Sequence, residues 1–364
     1  MISHFVKRLL LIINVFAVAF LLLGLLAGHV STVHFRVLIF FSFAFPFFAI
    51  ANLFFVGFWM LFKKLYFIPS LLTLLICYQP LNATFNILPE DAPPKPEKSF
   101  TVLSHNVKVF DLYNWSHNKK SRNEYFKYLR KIKPEIACFQ EYFNTKGNDF
   151  PIHDSLIKSQ RFKYSHISYS VQLPNGHNFG IATYSRFPIV HKKNISFGKT
   201  HNMAIATDIK VFNDTIRVIN CHLQSVRFLS KDYLFIDKLP GLSDEDRIDG
   251  AKGVLKRLSV ASKIRARQAQ LIANEIKTSP YPVMVCGDFN DVPTSYVYHQ
   301  LSRELEDSYH NEGFGINGTY PRFFVPFRID YILFDEHIRC HGFRTETSKL
   351  SDHFAIIGEY SMNE

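Results

Sequence analysis

The residues best suited to chemistry sit at the ends of short apolar runs. In 283–291, Val-Met-Val-Cys-Gly-Asp-Phe-Asn-Asp, a buried-strand run is bounded by Tyr281-Pro282 on one side and Gly287 on the other. Gly287 lets the chain turn tightly, and Asp288 and Asn290 then project from the loop edge. One of these can orient or activate water while the other holds a substrate oxygen, which suits hydrolysis. The placement recurs at Asn106, Glu141, Asn220, His222, Asp330, Asp352 and His353. Singly, each has an ordinary explanation: a turn cap, a solvated acid, a satisfied core histidine. Ser351-Asp352-His353 is more telling, because adjacent residues at a strand entry face opposite sides. One can face a metal and the other the substrate.

The physical case is for metal-assisted phosphoryl chemistry. Mg²⁺, with Mn²⁺ as an alternative, takes oxygen ligands, commonly one or two carboxylates with water and substrate phosphate. Glu141 and Asp352, assisted by Asn106, meet that need. No Cys/His quartet is present, so zinc is disfavoured. The cation would neutralise charge growing on the phosphate as water attacks in line. Asp330 is the natural orienting partner for His353, and such a pair can move a proton near neutral pH. His222 is a second imidazole, available to protonate a leaving oxygen or grip a phosphate oxygen, with Asn220 and Asn290 as further substrate contacts.

The elements that must position these groups are short. Strand-like runs cover 100–107, 135–140, 179–184, 215–223, 328–334 and 354–360, and helical spacing covers 121–133 and 263–276. Many short strands with few interleaved helices predict an α/β or α+β sandwich with polar groups on loops at one edge. Residues 224–262 lack clear periodicity and read as a long loop, a substrate-contacting lid or a mobile surface segment.

The motifs SHNV around Asn106, FQE ending at Glu141, NCHL around His222, CGDFND, RIDYIL around Asp330 and SDHFA resemble, in order, the motif set of the endonuclease/exonuclease/phosphatase superfamily, the deoxyribonuclease I-like fold. GDFN or SDH alone arises by chance; six motifs in register over 100–360 hardly can. The resemblance implies a four-layered αββα sandwich and Mg²⁺-dependent hydrolysis of phosphate esters. It implies that Asn106, Glu141 and Asp352 serve the metal, that Asp288 and Asn290 position nucleophile and phosphate, and that Asp330–His353 is the acid–base pair with His222 the second catalytic histidine. Asn-x-His at 220–222 is similar to the deoxyribonuclease I, sphingomyelinase and inositol-phosphatase branches and departs from the apurinic-endonuclease branch; GDFN in place of GDLN leans away from inositol polyphosphate phosphatases.

The first 88 residues differ sharply from the rest. Apolar runs at 9–28 and 37–62 are each long enough to span a bilayer, and 65–79, extending toward residue 88, is a weaker third, so about three transmembrane helices are expected. A cleaved signal peptide would explain only the first. Lys7 and Arg8 precede the first run and Lys63 and Lys64 follow the second, against Arg36 between them, which places the N-terminus in the cytoplasm and the C-terminal domain outside it. The Pro-rich segment 89–99 reads as an extended linker between a 1–88 anchor and a 100–364 catalytic domain. The chain carries +11 overall, of which +4 precedes residue 100, leaving +7 on the domain. Its five cysteines show no disulfide or zinc spacing and read as reduced, packed thiols.

The expected protein is a phosphodiesterase or nuclease in the cytoplasmic membrane, tethered to the lipid bilayer and acting on extracytoplasmic nucleic acid. Its basic domain, with Arg265 and Arg267, would attract phosphate. The alternative is a sphingomyelinase-type phospholipid phosphodiesterase, with Phe323, Phe324, Val325 and Phe327 as an apolar loop dipping into lipid. A non-catalytic membrane scaffold is disfavoured, because every polar position the chemistry needs holds a competent residue.

Overall fold

The computed structural model describes residues 4–62, 64–88, 90–114, 121–145, 151–198, 200–227, 232, 243–311, 315–322, 326–348 and 350–363. They divide into two compact units, Met1–Ile87 with Gln224–Arg267 and Asp291–His299, and Leu88–Leu223 with Gln268–Asn290 and Gln300–Glu364.

The first unit is built on two Leu/Phe-rich helices, α1 (His4–His29) and α2 (Leu38–Leu61), both long and apolar enough to cross a membrane. The third apolar run is a broken pair, α3 (Ile68–Ile76) and α4 (Tyr78–Phe85), bent by 69° at Cys77. Phe67, before α3, packs with Ala17, Phe55 and Trp59, whereas Leu81, Phe85 and Ile87 pack with Leu21, Leu25 and Phe45. The pair therefore climbs back along α1 and α2 toward the loop that joins them. Buried polar side chains bond from helix to helix: Asn52 Nδ2 donates to the Ala17 carbonyl (2.9 Å) and Ser70 Oγ to Asn14 Oδ1 (2.6 Å).

Residues far along the chain close this unit at the α1–α2 loop. Thr32 Oγ1 donates to the Ser262 carbonyl (3.1 Å), and Ser42 and Thr294 exchange hydroxyl-to-carbonyl bonds of 2.7 and 2.9 Å. The rings of His29 and His299 lie 4.9 Å apart. The expected long loop at 224–262 is largely helical instead: α7 (Asp244–Lys277) is a single 34-residue helix, while 228–231 and 233–242 fall outside the described residues. Two glycines, Gly250 and Gly253, and mixed charges hide its periodicity at the N-terminal end. Arg265, expected to attract phosphate, is fully buried on this helix and paired with Asp291 at 2.9 Å; Arg267 is exposed.

The second unit is a sandwich of two six-stranded sheets with helices outside. β1 (Phe100–Asn106), β2 (Ile136–Thr145), β3 (Tyr164–Gln172), β4 (His177–Ser185), β11 (Ile338–Glu346) and β12 (Ala355–Met362) form one sheet in the order β11-β12-β1-β2-β4-β3. β5 (Ile189–Ile195), β6 (Met203–Val211), β7 (Asp214–His222), β8 (Val283–Asp288), β9 (Glu306–Asp307) and β10 (Asp330–Phe334) form the other, ordered β5-β6-β7-β8-β10-β9. Val102, Ile136, Cys138, Val218, Met284, Cys286, Ile332 and Ile356 interleave between them. On the outer face of the first sheet, α5 (Ser121–Ile132) and α6 (Ile152–Gln160) bury Tyr125, Leu129 and Leu156 against Phe139 and Tyr142. The C-terminal end of α7 serves the second sheet, where Arg217 clamps Asp208 with two bonds (2.7 and 2.9 Å) and reaches Glu275 at 2.7 Å. All five cysteines are buried and free. The Pro-rich linker is pinned: Glu90 N donates to the His310 carbonyl, and Lys95 pairs with Glu359 at 2.8 Å.

Three features differ from the sequence reading and shape the site. β2 runs past Gln140 to Thr145, and Gln140 and Glu141 together face one residue of β4 between the Phe139–Ala182 and Tyr142–Gly180 pairs. This bulge, with Glu141 at φ 49°, turns the carboxylate out of the ladder. Gly287 lies inside β8 rather than in a turn, opposite Cys221 of the parallel neighbour β7. β3, β5, β6, β11 and α6 lack the regular alternation that would announce them.

Gly287 has φ 150°, and a Cβ there would stand 1.9 Å from the Cys221 carbonyl oxygen. Gly287→Ala is expected to lower the unfolding free energy by about 3 kcal/mol, the upper end for a forced backbone conformation. Gly342→Ala, in open space, should stay within about 0.5 kcal/mol of wild type. Urea unfolding of the full chain in detergent compares them, and equal stabilities would show that β7 and β8 need no glycine contact.

Candidate functional site

One edge of the sandwich collects the polar groups because of strand direction. β1 and β2 are parallel, as are β7 and β8, so Asn106, His222 and Asp288 stand at the C-terminal ends of their strands, and Glu141, in the bulge of β2, follows Gln140, the register partner of Asn106. β10 runs antiparallel to β8 and β12 antiparallel to β1, which brings Asp330 and the residues just before β12, Asp352 and His353, to the same edge.

Asp288 is the meeting point. Its Oδ2 accepts a hydrogen bond from Asn106 Nδ2 at 3.0 Å and lies 3.6 Å from His222 Nε2 and 3.8 Å from His353 Nε2. Asn106 Nδ2 also reaches Glu141 Oε1 at 3.4 Å, so a single amide bridges carboxylates from the two sheets. His222 Nε2 is 3.9 Å from the same Glu141 oxygen. Asn290, in a left-handed conformation (φ 53°), donates its backbone N–H to Asp288 Oδ1 (2.8 Å) and its amide to the Leu223 carbonyl (3.1 Å). That turn fixes the Asp288 carboxylate from below.

His353 Nδ1 donates to Asp330 Oδ2 at 2.9 Å, which leaves Nε2 pointing at Asp288. Burial alone would drive the imidazole neutral, but the carboxylates of Asp330 and Asp288 outweigh it and push its pKa up to about 10. Burial, helped by the charge of Asp330, lifts Asp288 to about 6 against the opposing pull of His353, His222 and Asn106. Burial likewise raises Glu141, and His353 opposes it. Burial also acts to raise Asp352, but His353 and Lys108 more than offset it and hold that carboxyl below its ordinary range.

Behind the pair stands His105, whose own pKa burial lowers to about 4. It is neutral at pH 7, and since a carbonyl can only accept, its Nε2–H donates to the His353 carbonyl (3.1 Å) while Nδ1 accepts from Tyr125 OH (3.0 Å). Thr319 Oγ1 accepts the Asp330 N–H at 3.1 Å, and Ser351 Oγ donates to the Asn106 carbonyl at 2.8 Å.

A cation suits this site. Four carboxylates, Glu141, Asp288, Asp330 and Asp352, gather here, and Lys108 already places an ammonium 2.9 Å from Asp352 Oδ2 while also acting on Glu141. The lysine stands where a positive charge is wanted between the two carboxylates expected to serve a metal. It is held by unusual backbone: Lys108, Val109, Phe110 and Asp111 all have φ between 43° and 56°, a left-handed turn that costs about 1–2 kcal/mol per residue. Buried Val109 and Phe110 hold it, with Phe110 packed on Tyr125 and Tyr142. A second grouping, Asp288, Asp330 and His353, brings ligand atoms within 4.8 Å of one another. Its imidazole is committed to Asp330, and a hard cation prefers an all-oxygen set, so the Glu141–Asp352 side fits better.

One expectation changes. Asn220, read as a substrate contact, is fully buried and spent on the scaffold: its Oδ1 accepts from Gln140 (2.8 Å) and its Nδ2 donates to the Ala182 carbonyl (2.9 Å). It ties β7 to the opposite sheet, behind the site. Residues passed over in the sequence are Lys108, His105, Gln140 and Thr319. His105 and Gln140 lie inside the SHNV and FQE motifs, so the signal was present; Lys108 is one of many lysines, and Thr319 comes from a stretch without pattern.

Two stacked sheets with acids, amides and imidazoles gathered along one edge define the class of fold: a β-sandwich with helices outside. The family model described as the Endonuclease/Exonuclease/phosphatase family matches residues 103–353, and the chain belongs to that family, whose members are generally hydrolases of phosphate esters and typically depend on a divalent metal. A model of a domain of unknown function (DUF8431) matches residues 7–84. No curated protein matches the chain. Among solved structures it is similar to an endonuclease/exonuclease/phosphatase from Beutenbergia cavernae, at 15% identity over 73% of this chain and 72% of that one, with a TM-score of 0.52. It is similar also to the human Nocturnin catalytic domain with bound sulfate, at 18% identity over 75% and 97% with a TM-score of 0.51. A family protein from Bacteroides thetaiotaomicron gives 18% identity over 73% and 98%, again at 0.51. At these identities the likeness establishes the fold.

The His353 imidazolium has a stability consequence. Its folded pKa, about 10, lies above the ordinary 6.5, so its contribution is complete below pH 6.5 and lost as pH rises toward 10. Asp288, also raised, withdraws stability as pH climbs from 3.8 through about 6. Histidine NMR of the full chain in EDTA is expected to show one imidazole still protonated at pH 9, and Asp330→Asn should bring it down toward 6.5. An ordinary titration in wild type would dissolve the pair.

Proposed function

We propose that this protein is a divalent-metal-dependent phosphodiesterase held at the membrane, with nucleic acid as its favoured substrate. The observation that carries the reading is the convergence on Asp288 Oδ2 of Asn106, His222 and the Asp330-braced His353, beside Glu141 and Asp352. Glu141 and Asp352, with Asn106, would hold Mg²⁺ or Mn²⁺, which supplies charge neutralisation on the phosphate. Asp288, with a pKa near operating pH, is the group suited to orient and deprotonate the attacking water. His353 enters as imidazolium and donates to a phosphoryl oxygen, so within the acid–base pair it acts as the acid. His222 stands on the Glu141 side, placed to grip a phosphate oxygen or protonate the leaving group.

The domain is read as extracytoplasmic. Lys7 and Arg8 at the start of α1, and Lys64 after α2, mark the cytoplasmic side. The climb of α3 and α4 toward the α1–α2 loop, and the bonding of Ser262 and Thr294 to Thr32 and Ser42, support a third crossing that returns the chain to the other side. The alternative reading, a phospholipid phosphodiesterase, drew on Phe323, Phe324, Val325 and Phe327; the first three fall outside the described residues, and Phe327 bridges Tyr320 in a short ladder.

Purified full-length protein should hydrolyse bis(p-nitrophenyl) phosphate with Mg²⁺ or Mn²⁺ and stop with EDTA. His353→Ala and Glu141→Ala should each lose about 10²–10⁴-fold in kcat while remaining folded. Metal-independent turnover, or wild-type rates in both variants, would reject the mechanism. Plasmid DNA and phospholipid vesicles offered in parallel test the substrate; cleavage of lipid alone would overturn the preference for nucleic acid. A phosphatase fused to the C-terminus should be active only if that end lies outside the cytoplasm.

A further inference from the structure

One buried polar side chain stands where the catalytic reading has no use for it. His105 is 1% exposed and lies on the outer face of β1, flanked by Leu103 and Val107, which join the apolar cluster under α5. An apolar residue is the ordinary occupant of such a position, because a buried polar ring must find partners to offset its desolvation. His105 finds two. Its ring stacks on Tyr125 of α5, with centroids 5.4 Å apart and Tyr125 OH 3.0 Å from Nδ1, and its Nε2 lies 3.1 Å from the His353 carbonyl.

The His353 backbone needs such a partner because the sheet stops short of it. β1 and β12 pair from Phe100–Tyr360 to Ser104–Ile356. Beyond that step other groups take over. Ser351 Oγ accepts the His353 N–H (3.3 Å) and donates to the Asn106 carbonyl (2.8 Å), and the Thr319 carbonyl accepts the Phe354 N–H (2.7 Å). The His353 carbonyl is taken by His105, and the His353 imidazole by Asp330. His105 thus ties the main chain of the proposed acid to α5, while Asp330 aims its ring.

We propose that His105 is a positioning residue, whose Nε2–H fixes the His353 carbonyl and, through it, the place of the His353 ring between Asp330 and Asp288. The role belongs to its two hydrogen bonds and not to the shape of its ring. It touches neither phosphate nor cation in this role, since it stands on the face of β1 turned away from Asn106. The proposal rests on the reading of His353 as the acid of a phosphodiesterase. A group misplaced by about 1 Å behind the chemistry costs on the order of 10²-fold in rate, so one hydrogen bond to the main chain is enough to matter.

Variants of the full chain in detergent separate bonding from packing. His105→Phe keeps a flat ring and loses both bonds. His105→Gln offers an amide oxygen to Tyr125 and an amide N–H to the His353 carbonyl, whereas the shorter His105→Asn reaches Tyr125 and falls short of His353. Against bis(p-nitrophenyl) phosphate, His105→Phe and His105→Asn are expected to lose about 10–10²-fold in kcat with KM within about threefold, and His105→Gln to stay within about threefold of wild type. Wild-type kcat in His105→Phe, or His105→Gln as the most impaired of the set, would overturn the proposal; if His105→Phe does not fold, the Gln and Asn pair decides. Proton NMR near neutral pH reads the same point without turnover. The downfield His353 Nδ1–H resonance, assigned by its loss in Asp330→Asn, should persist in wild type and His105→Gln and shift or broaden in His105→Asn. A wild type that hydrolyses nothing would remove the phosphodiesterase reading, and this resonance would then decide alone, its indifference to His105→Asn defeating the positioning role.

Discussion

A carboxylate taken wholly out of water must be compensated by its neighbours, and Asp288 is where this protein meets that demand. One oxygen takes the backbone N–H of Asn290; the other faces an amide and two imidazoles. None of those partners is local in sequence except Asn290. The carboxylate therefore acts as a condition on the fold: β1, β7, β8 and the chain before β12 have to reach one edge together, or the charge is left exposed to a low-dielectric interior.

The sheets meet that condition through a change of character along their interface. Deep between them the contacts are apolar, Val102 and Ile136 against Val218 and Met284. Toward the edge they become specific hydrogen bonds that cross from sheet to sheet, Gln140 to Asn220 and Asn106 to Asp288. Apolar packing tolerates small shifts, while a network of buried amides and carboxylates does not. Local backbone strain concentrates in the same region: the bulge at Glu141, the left-handed Asn290, and the turn at 108–111 all aim side chains that regular geometry would point elsewhere.

Much of this was legible in the sequence because the polar groups end apolar runs, and the end of a strand is a place that patterning can find. Asp288, Asp330, His353 and the strands that carry them are read that way. Glu141 was read as standing just past a strand end, whereas it sits in a bulge inside a continuing strand, which leaves no break in hydrophobicity. Asn220 misled because a motif records which residue is required and not which way it faces. The N-terminal part of α7 was missed because its glycines and mixed charges mask a helix that is held by tertiary contacts. Arg265 looked like a surface cation for the same reason; its partner Asp291 lies 26 residues away.

The paired hydroxyl-to-carbonyl bonds between Ser42 and Thr294 carry an implication for how this protein is inherited and handled as a whole. Residues 224–267 and 291–299 belong with the apolar helices, although the chain between and around them belongs with the sandwich. A cut at the Pro-rich segment would therefore not separate two self-sufficient parts. It would leave the Ser262 and Thr294 segments on one fragment and Thr32 and Ser42, to which they bond, on the other.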